Sequence, residues 1–190
     1  MRVLVVDAYP ATHPDAAIVG EAVAMLETQG NQVDYLSLVI DEFGTTMTAD
    51  ERTAYETDEP LIADEAKASA ARVQSADALL FCYPTTLFGV PPLLKGWLER
   101  VMVMGVAFVF DKKHRVRPGL TNVRRIGAIT TTPHSRSATM RARDLGYRTF
   151  MRTFRLNCHP LCRGTFVRMP TGAPAARYTG RLGRSLRSWR

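Results

Sequence analysis

Cysteine is scarce in these 190 residues, and long apolar runs are missing. Three cysteines, Cys82, Cys158 and Cys162, are too few and odd in number for the disulfide framework of a small secreted scaffold. No apolar run approaches the ~20 residues that a membrane-spanning helix needs, because charge, glycine or proline interrupts each one. Repeats, linkers and low-complexity tracts are absent too, so residues 1–190 read as one α/β domain, long enough to bury roughly 70% of its unfolded surface. Acidic residues all but vanish from the second half: residues 112–190 carry 19 Lys+Arg against one acid, Asp144, whereas residues 1–111 carry 6 against 17. A basic half can face an anionic partner. With no recognition module beside it, complementarity within the chain or between subunits is the plainer account, and no specific nucleic-acid partner is expected. Met1 leads straight into a strand pattern without a basic, cleavable leader, so the expectation is a cytoplasmic protein with reduced thiols.

What is present is an alternation of buried strands and helices. "RVLVVDAYP" from Arg2, "ADALLFCYP" from Ala76 and "RRIGAITTTP" from Arg124 are short continuous apolar runs closed by proline, the mark of strands covered on both faces. "NQVDYLSLV" and part of "LNCHPLCRGTFVRM" supply two more. The helix after the first strand places Ile18, Val19, Ala22, Val23 and Leu26 on one face, with Asp15 as the expected N-cap and Gly30 as the stop. "TADE" predicts a capping box between Thr48 and Glu51. Further helices are predicted over roughly 60–75, 91–104, 137–154 and 174–189. The last alternates Tyr178, Leu182, Leu186 and Trp189 with Arg177, Arg181, Arg184, Arg187 and Arg190. That pattern leaves peripheral membrane contact open, although Gly180 and Gly183 favour docking on the sheet.

In an open parallel sheet, ligands lie beyond the carboxyl ends of the strands where strand order reverses. Three loops leave strands there. "YPATHPD" precedes a helix N-terminus, where free amides favour a phosphate, and Tyr9, Thr12, His13 and Asp15 are its candidate residues; a plain strand-to-helix turn is the alternative. "YPTTLFGVPP" is stiffened by Pro84, Pro91 and Pro92 and offers amides and an apolar wall from Thr85, Thr86, Leu87 and Phe88, a combination suited to a flat heteroaromatic ring. "TTTPHS" adds Thr130, Thr131 and Thr132, which either meet the ring's polar edge or simply end a strand. His134 is the candidate proton donor, against the commoner solvated loop histidine. "CHPLC" is too small a cluster to argue for zinc, and no metal site is expected.

The stretch "LFCYPTTLFGVPPLLKGWLERVMVMGVAF", residues 80–108, resembles the NAD(P)H:quinone oxidoreductase family, which also includes modulator-of-drug-activity and potassium-efflux ancillary proteins. The resemblance is carried by Leu94, Lys95, Gly96, Trp97, Arg100 and Val101, followed by Gly105 and Ala107. It implies a flavodoxin-like, doubly wound five-stranded parallel sheet of order 2-1-3-4-5 with helices on both faces. It further implies that Pro84, Thr85, Thr86, Leu87 and Phe88 line a flavin ring, that Thr130 and Thr131 meet its edge, and that Tyr9 through Asp15 hold its phosphate. The implied cofactors are FMN or FAD, with length favouring FMN, and NAD(P)H as donor to a quinone-like acceptor. The implied assembly is a homodimer with Phe108 and Phe110 near the shared site. In the family a tryptophan usually stands where Leu87 does, a serine near Asp15, and two glycines near Pro133 and His134. These departures suit a second reading, a regulatory or ancillary subunit that binds a partner such as a transporter.

Overall fold

In the computed structural model, residues 1–189 are described except 56 and 58; Arg190, the last arginine of the basic face, lies outside the described residues. Five strands form one wholly parallel sheet: β1 (Arg2–Asp7), β2 (Gln32–Ser37), β3 (Ala78–Pro84), β6 (Arg125–Thr132) and β7 (Arg163–Pro170), in the order β2-β1-β3-β6-β7. This is the expected order 2-1-3-4-5. The extra numbers belong to a small antiparallel hairpin, β4 (Phe108–Phe110) with β5 (Val116–Pro118), which the sequence reading missed. Three-residue strands carry too little periodicity to be seen; Asp111 holds this pair by accepting from the Nε–H of Arg115 and of Arg117, both at 2.9 Å.

Helices cover both faces. On one side lie α1 (Ala17–Thr28) and α7 (Ala175–Leu186); on the other lie α3 (Asp64–Ser75), α4 (Pro92–Val101) and the turns around Phe150. The short α2 (Ala49–Ala54) opens with the expected capping box: Glu51 N–H donates to Thr48 Oγ1 at 3.1 Å and Thr48 N–H to Glu51 Oε2 at 2.8 Å. Helix α1 stops as read, in a Schellman motif: Gly30 at φ 82° donates to Glu27 O at 2.8 Å, and Asn31 N–H reaches Leu26 O at 3.1 Å. Its start differs. Ala16 is the N-cap, without a side-chain cap, and Asp15 spends its carboxylate elsewhere.

The helix expected over 137–154 is broken into α5 (Arg136–Arg141), α6 (Leu145–Arg148), a π-helical turn (Thr149–Thr153) and a 3₁₀ turn (Phe154–Asn157). Arg143 and Asp144 sit at φ 57° and 39°, a left-handed pair that no α-helix accommodates. Helix α7 docks as its apolar face requires: Tyr178, Leu182, Leu186 and Trp189 are buried against Ile18, Val19 and Leu26, each leucine contributing about 1.5–3 kcal/mol. Trp189 donates from Nε1 to Thr165 Oγ1 at 3.1 Å, and Gly127 makes room for its ring, since a Cβ there would stand 2.7 Å from Trp189 Cζ2.

Candidate functional site

Strands β1, β3 and β6 end side by side, with Asp7 beside Cys82 and Pro84 beside Thr131. Strand order reverses at β1, so the loops over residues 8–16, 85–91 and 133–135 form one rim above the switch point. In the first loop Tyr9 is 3% exposed and shares a 3.0 Å hydrogen bond with Thr131 Oγ1; burial pushes its phenol well above its usual range, so it stays neutral. A turn closed by His13 N–H to Pro10 O at 2.9 Å leaves the amides of Ala11 and Thr12, and of Ala17 at the start of α1, without a partner among the described residues. His13 turns inward, edge-on to the Tyr9 ring at 5.1 Å, and its Nδ1 accepts from Asp15 N–H at 3.1 Å. Thr12 is exposed at the loop tip. Asp15 is 3% exposed: Oδ1 accepts from Gly172 N–H at 3.0 Å, stapling the β7–α7 loop to the start of α1, while Oδ2 is buried without a hydrogen-bond partner among the described residues. Two open amides in the loop and one at the first residue of a 12-residue helix are donors of the kind that hold a phosphate, with the Asp15 carboxylate as the one nearby group that would oppose it.

The second loop is fastened to the third. Thr85 N–H donates to Thr131 O at 2.8 Å, and the hydroxyls of Thr85 and Thr130 lie 2.7 Å apart. Thr86 and Gly89 exchange backbone hydrogen bonds of 3.1 and 2.8 Å, closing a tight turn whose central residues, Leu87 and Phe88, both have positive φ, 45° and 63°. Neither residue's amide has a partner among the described residues, so the turn presents two adjacent donors. Leu87 is 85% exposed. Phe88 lies flat against His134 with ring centroids 4.0 Å apart, and His134 N–H donates to Thr132 Oγ1 at 3.2 Å. Thr130, Thr131 and Thr132 are all buried. Their hydroxyls are taken up by Thr85, Tyr9 and His134 N–H, so the two free amides of the turn are the groups here that fit the polar edge of a flavin ring.

Side chains that the sequence reading passed over also reach this rim. Asp7 is buried at the end of β1; desolvation raises its pKa although Tyr35 Oη–H at 2.7 Å and Tyr9 N–H at 2.8 Å donate to it. Burial and that hydrogen bond push the Tyr35 phenol up to about 12. Both line a cavity of about 340 Å³ between α1 and β2. Their signal was only the single polar residue closing an apolar strand. Arg136, Arg168, Arg177 and Arg181 line a second cavity, beside His134. Cys158 and Cys162 are buried, as expected of small apolar side chains, and His159 Nδ1 is used by Leu161 N–H at 3.0 Å.

The diagnostic residues of the 80–108 stretch act by packing. A Cβ on Gly96 would stand 2.6 Å from Thr45 Cβ, so glycine lets the chain after β2 lie on α4. Trp97 is fully buried, edge-on to Phe81, and donates to Ser69 Oγ at 3.1 Å. Arg100 donates from Nη2 to Glu51 Oε1 at 3.0 Å and from Nη1 to Gly44 O at 2.5 Å, and pairs with Glu65.

Residues 1–160 match the family model described as flavodoxin-like fold. The chain belongs to the flavodoxin-like fold family. Within this family, an FMN-dependent NADH:quinone oxidoreductase of Cereibacter sphaeroides is 36% identical over 129 residues, 67% of this chain and 59% of that protein. An NAD(P)H dehydrogenase [quinone] 1 of Rattus norvegicus is 38% identical over 60 residues, 32% of this chain and 22% of that one. These matches thus span less than two thirds of either relative's length. Among solved structures, an NAD(P)H:quinone oxidoreductase from Methanothermobacter marburgensis superimposes with a TM-score of 0.81 at 17% identity, covering 100% of this flavodoxin-like chain and 99% of that one. No helix among the described residues is long and apolar enough to cross a membrane.

Proposed function

We propose that this chain is a flavin-dependent two-electron oxidoreductase that takes hydride from NAD(P)H and delivers it to quinones or similar acceptors. The carrying observation is the turn Thr86–Gly89, whose Leu87 and Phe88 amides have no partner among the described residues and which Thr85 fastens to Thr130 and Thr131 of β6 above the switch point. FMN is the fitting flavin, since the open amides of Ala11, Thr12 and Ala17 suit one terminal phosphate. The relatives support the reading by name: the Cereibacter protein is FMN-dependent and reduces quinones with NADH.

When bound, the flavin supplies reversible two-electron hydride chemistry. The protein supplies position and electrostatics. The Leu87 and Phe88 amides would donate to the ring edge, and preorganised donors stabilise negative charge there without reorganising. Pro84, Thr85, Thr130, Thr131 and Thr132 would hold the ring, and the hydrogen bond between Tyr9 and Thr131 fixes that threonine in place. His134, stacked on Phe88, would pass a proton to a reduced acceptor. The 1–190 unit acts in the cytoplasm as a homodimer, its hairpin β4–β5 offering the half-exposed Val109 and exposed Val116 to the partner copy.

The test is spectroscopic. After saturation with FMN or FAD and desalting, the protein is expected to retain a yellow chromophore that bleaches with NADPH and returns with a quinone. A colourless protein would sink this reading and leave the ancillary-subunit reading, for which the 85% exposed Leu87 would be the contact to probe.

A further inference from the structure

Residues 136, 168, 177 and 181 are far apart in sequence, yet the fold brings four guanidinium groups to one concavity of about 320 Å³. Arg136 comes from α5, Arg168 from β7, and Arg177 and Arg181 from successive turns of α7, one helical repeat apart on the same face. Like charges at that spacing repel. Arg168 is only 26% exposed, and its charged form is disfavoured by burial and then by the nearby Arg181 and Arg136. Asp144 pairs with Arg168, and it is the sole acid of residues 112–190. One carboxylate against four cations leaves a strong local excess of positive charge in a half-enclosed space. An anion relieves it.

The concavity also has an address. Thr132 and His134 form part of its wall, the residues that the proposed function sets beside the flavin ring. Its volume has room for a phosphate group together with part of the small molecule that carries it. Four arginines, rather than lysines, present planar forks that match phosphate oxygens two at a time.

We propose that this four-arginine concavity holds the 2′-phosphate at the adenosine end of the nicotinamide donor, which makes NADPH the preferred reductant over NADH. The proposal rests on the oxidoreductase reading for the identity of the donor, and on the arginine geometry alone for the anion. The segregation of basic residues into 112–190 then has a function: it supplies the cations of this subsite from three separate elements.

The test is calorimetric titration of the full chain with 2′,5′-ADP, 5′-ADP and inorganic phosphate, on wild type, on R177Q/R181Q and on R187Q, whose arginine ends α7 outside the concavity. The expected result is that 2′,5′-ADP binds at least tenfold more tightly than 5′-ADP. Loss of two charge-assisted contacts in R177Q/R181Q should weaken it by roughly 100-fold, while R187Q matches wild type. In parallel, R177Q/R181Q should retain flavin colour and raise KM for NADPH without changing KM for NADH. Equal binding of 2′,5′-ADP and 5′-ADP, or of 2′,5′-ADP by wild type and R177Q/R181Q, would overturn the proposal. Both substitutions fall at exposed helix positions, and an unchanged Tm verifies the fold. A wild type that takes up no flavin yet binds 2′,5′-ADP through these arginines would refute the flavin reading while upholding the subsite.

Discussion

Leu87 pairs an exposed side chain with a left-handed backbone at the rim, and replacing it by asparagine separates strain from function. An ordinary L-residue at φ 45° costs about 1–2 kcal/mol relative to a right-handed conformation. Asparagine tolerates that region through its short polar side chain and leaves the unfolded chain's entropy nearly unchanged, so Leu87→Asn should recover about 1 kcal/mol. Little is lost against this gain: at 85% exposed, Leu87 buries only a small part of its side chain, a few tenths of the ~1.5–3 kcal/mol that full burial brings. For a chain of this size the net gain raises Tm by about 2–4 °C. Thermal unfolding of the flavin-free protein at fixed concentration, with a urea midpoint as a second measure, reads the effect. A fall in Tm would refute the reasoning, because it would mean that Leu87 is covered in solution, as by a second copy, or that the turn is not strained. FMN retention provides the functional half. If the two free amides hold the ring, Leu87→Asn keeps FMN within a few-fold of wild type; a loss of 100-fold would transfer that role to the leucine side chain.

Other positions yield equally direct outcomes. Asp15→Asn keeps an acceptor for Gly172 N–H but removes a negative charge beside the open amides, so FMN should bind a few-fold more tightly with stability within about 1 kcal/mol of wild type, checked by fluorescence titration and urea unfolding. Arg100→Met strands Glu51 as a buried carboxylate and should cost about 3–5 kcal/mol in chemical denaturation. Burial alone would raise the Glu51 pKa, but the Thr48 N–H and Arg100 outweigh it and hold the carboxyl below its usual 4.5. That stabilisation is therefore present above pH 4.5 and is lost as pH falls through the lower folded value, so wild type should lose stability on acidification more steeply than Glu51→Gln. Gly127→Ala drives a methyl to 2.7 Å from Trp189 Cζ2 and 3.0 Å from Leu80 Cδ1 and should destabilise by about 1–3 kcal/mol, with partial recovery in G127A/W189F.

The sequence was most legible where burial is two-sided. Val3–Val6, Leu79–Cys82 and Ile126–Thr132 are strands with both faces covered, and a continuous apolar run has few other meanings once proline closes it. Capping at Thr48 and Gly30 was legible because the backbone groups satisfied lie within five residues of one another. Long-range partners were not. Asp15 reads as an N-cap from its neighbours, and only the return of residue 172 to the same place shows the acceptor at work there. The helix break at Arg143 and Asp144 carries no glycine or proline to announce it. The four-arginine concavity draws on three elements, so each arginine looks like an ordinary surface charge until β7 and α7 are folded together.

The family signature and the ligand rim divide the labour of the 80–108 stretch. Gly96, Trp97 and Arg100 touch Thr45, Ser69, Glu51 and Glu65, and none of those partners lies on the rim. Yet α4 begins at Pro92, three residues after the strained turn ends at Gly89, with Pro91 as its N-cap. A left-handed pair such as Leu87–Phe88 persists only when its flanks over-determine it. On one flank, Thr85 is bound to both Thr130 and Thr131; on the other, two prolines lead into a helix whose far end is pinned by a buried arginine. The residues most diagnostic in sequence thus bear on the proposed site from a distance, by fixing the flank of the turn that carries the Leu87 and Phe88 amides.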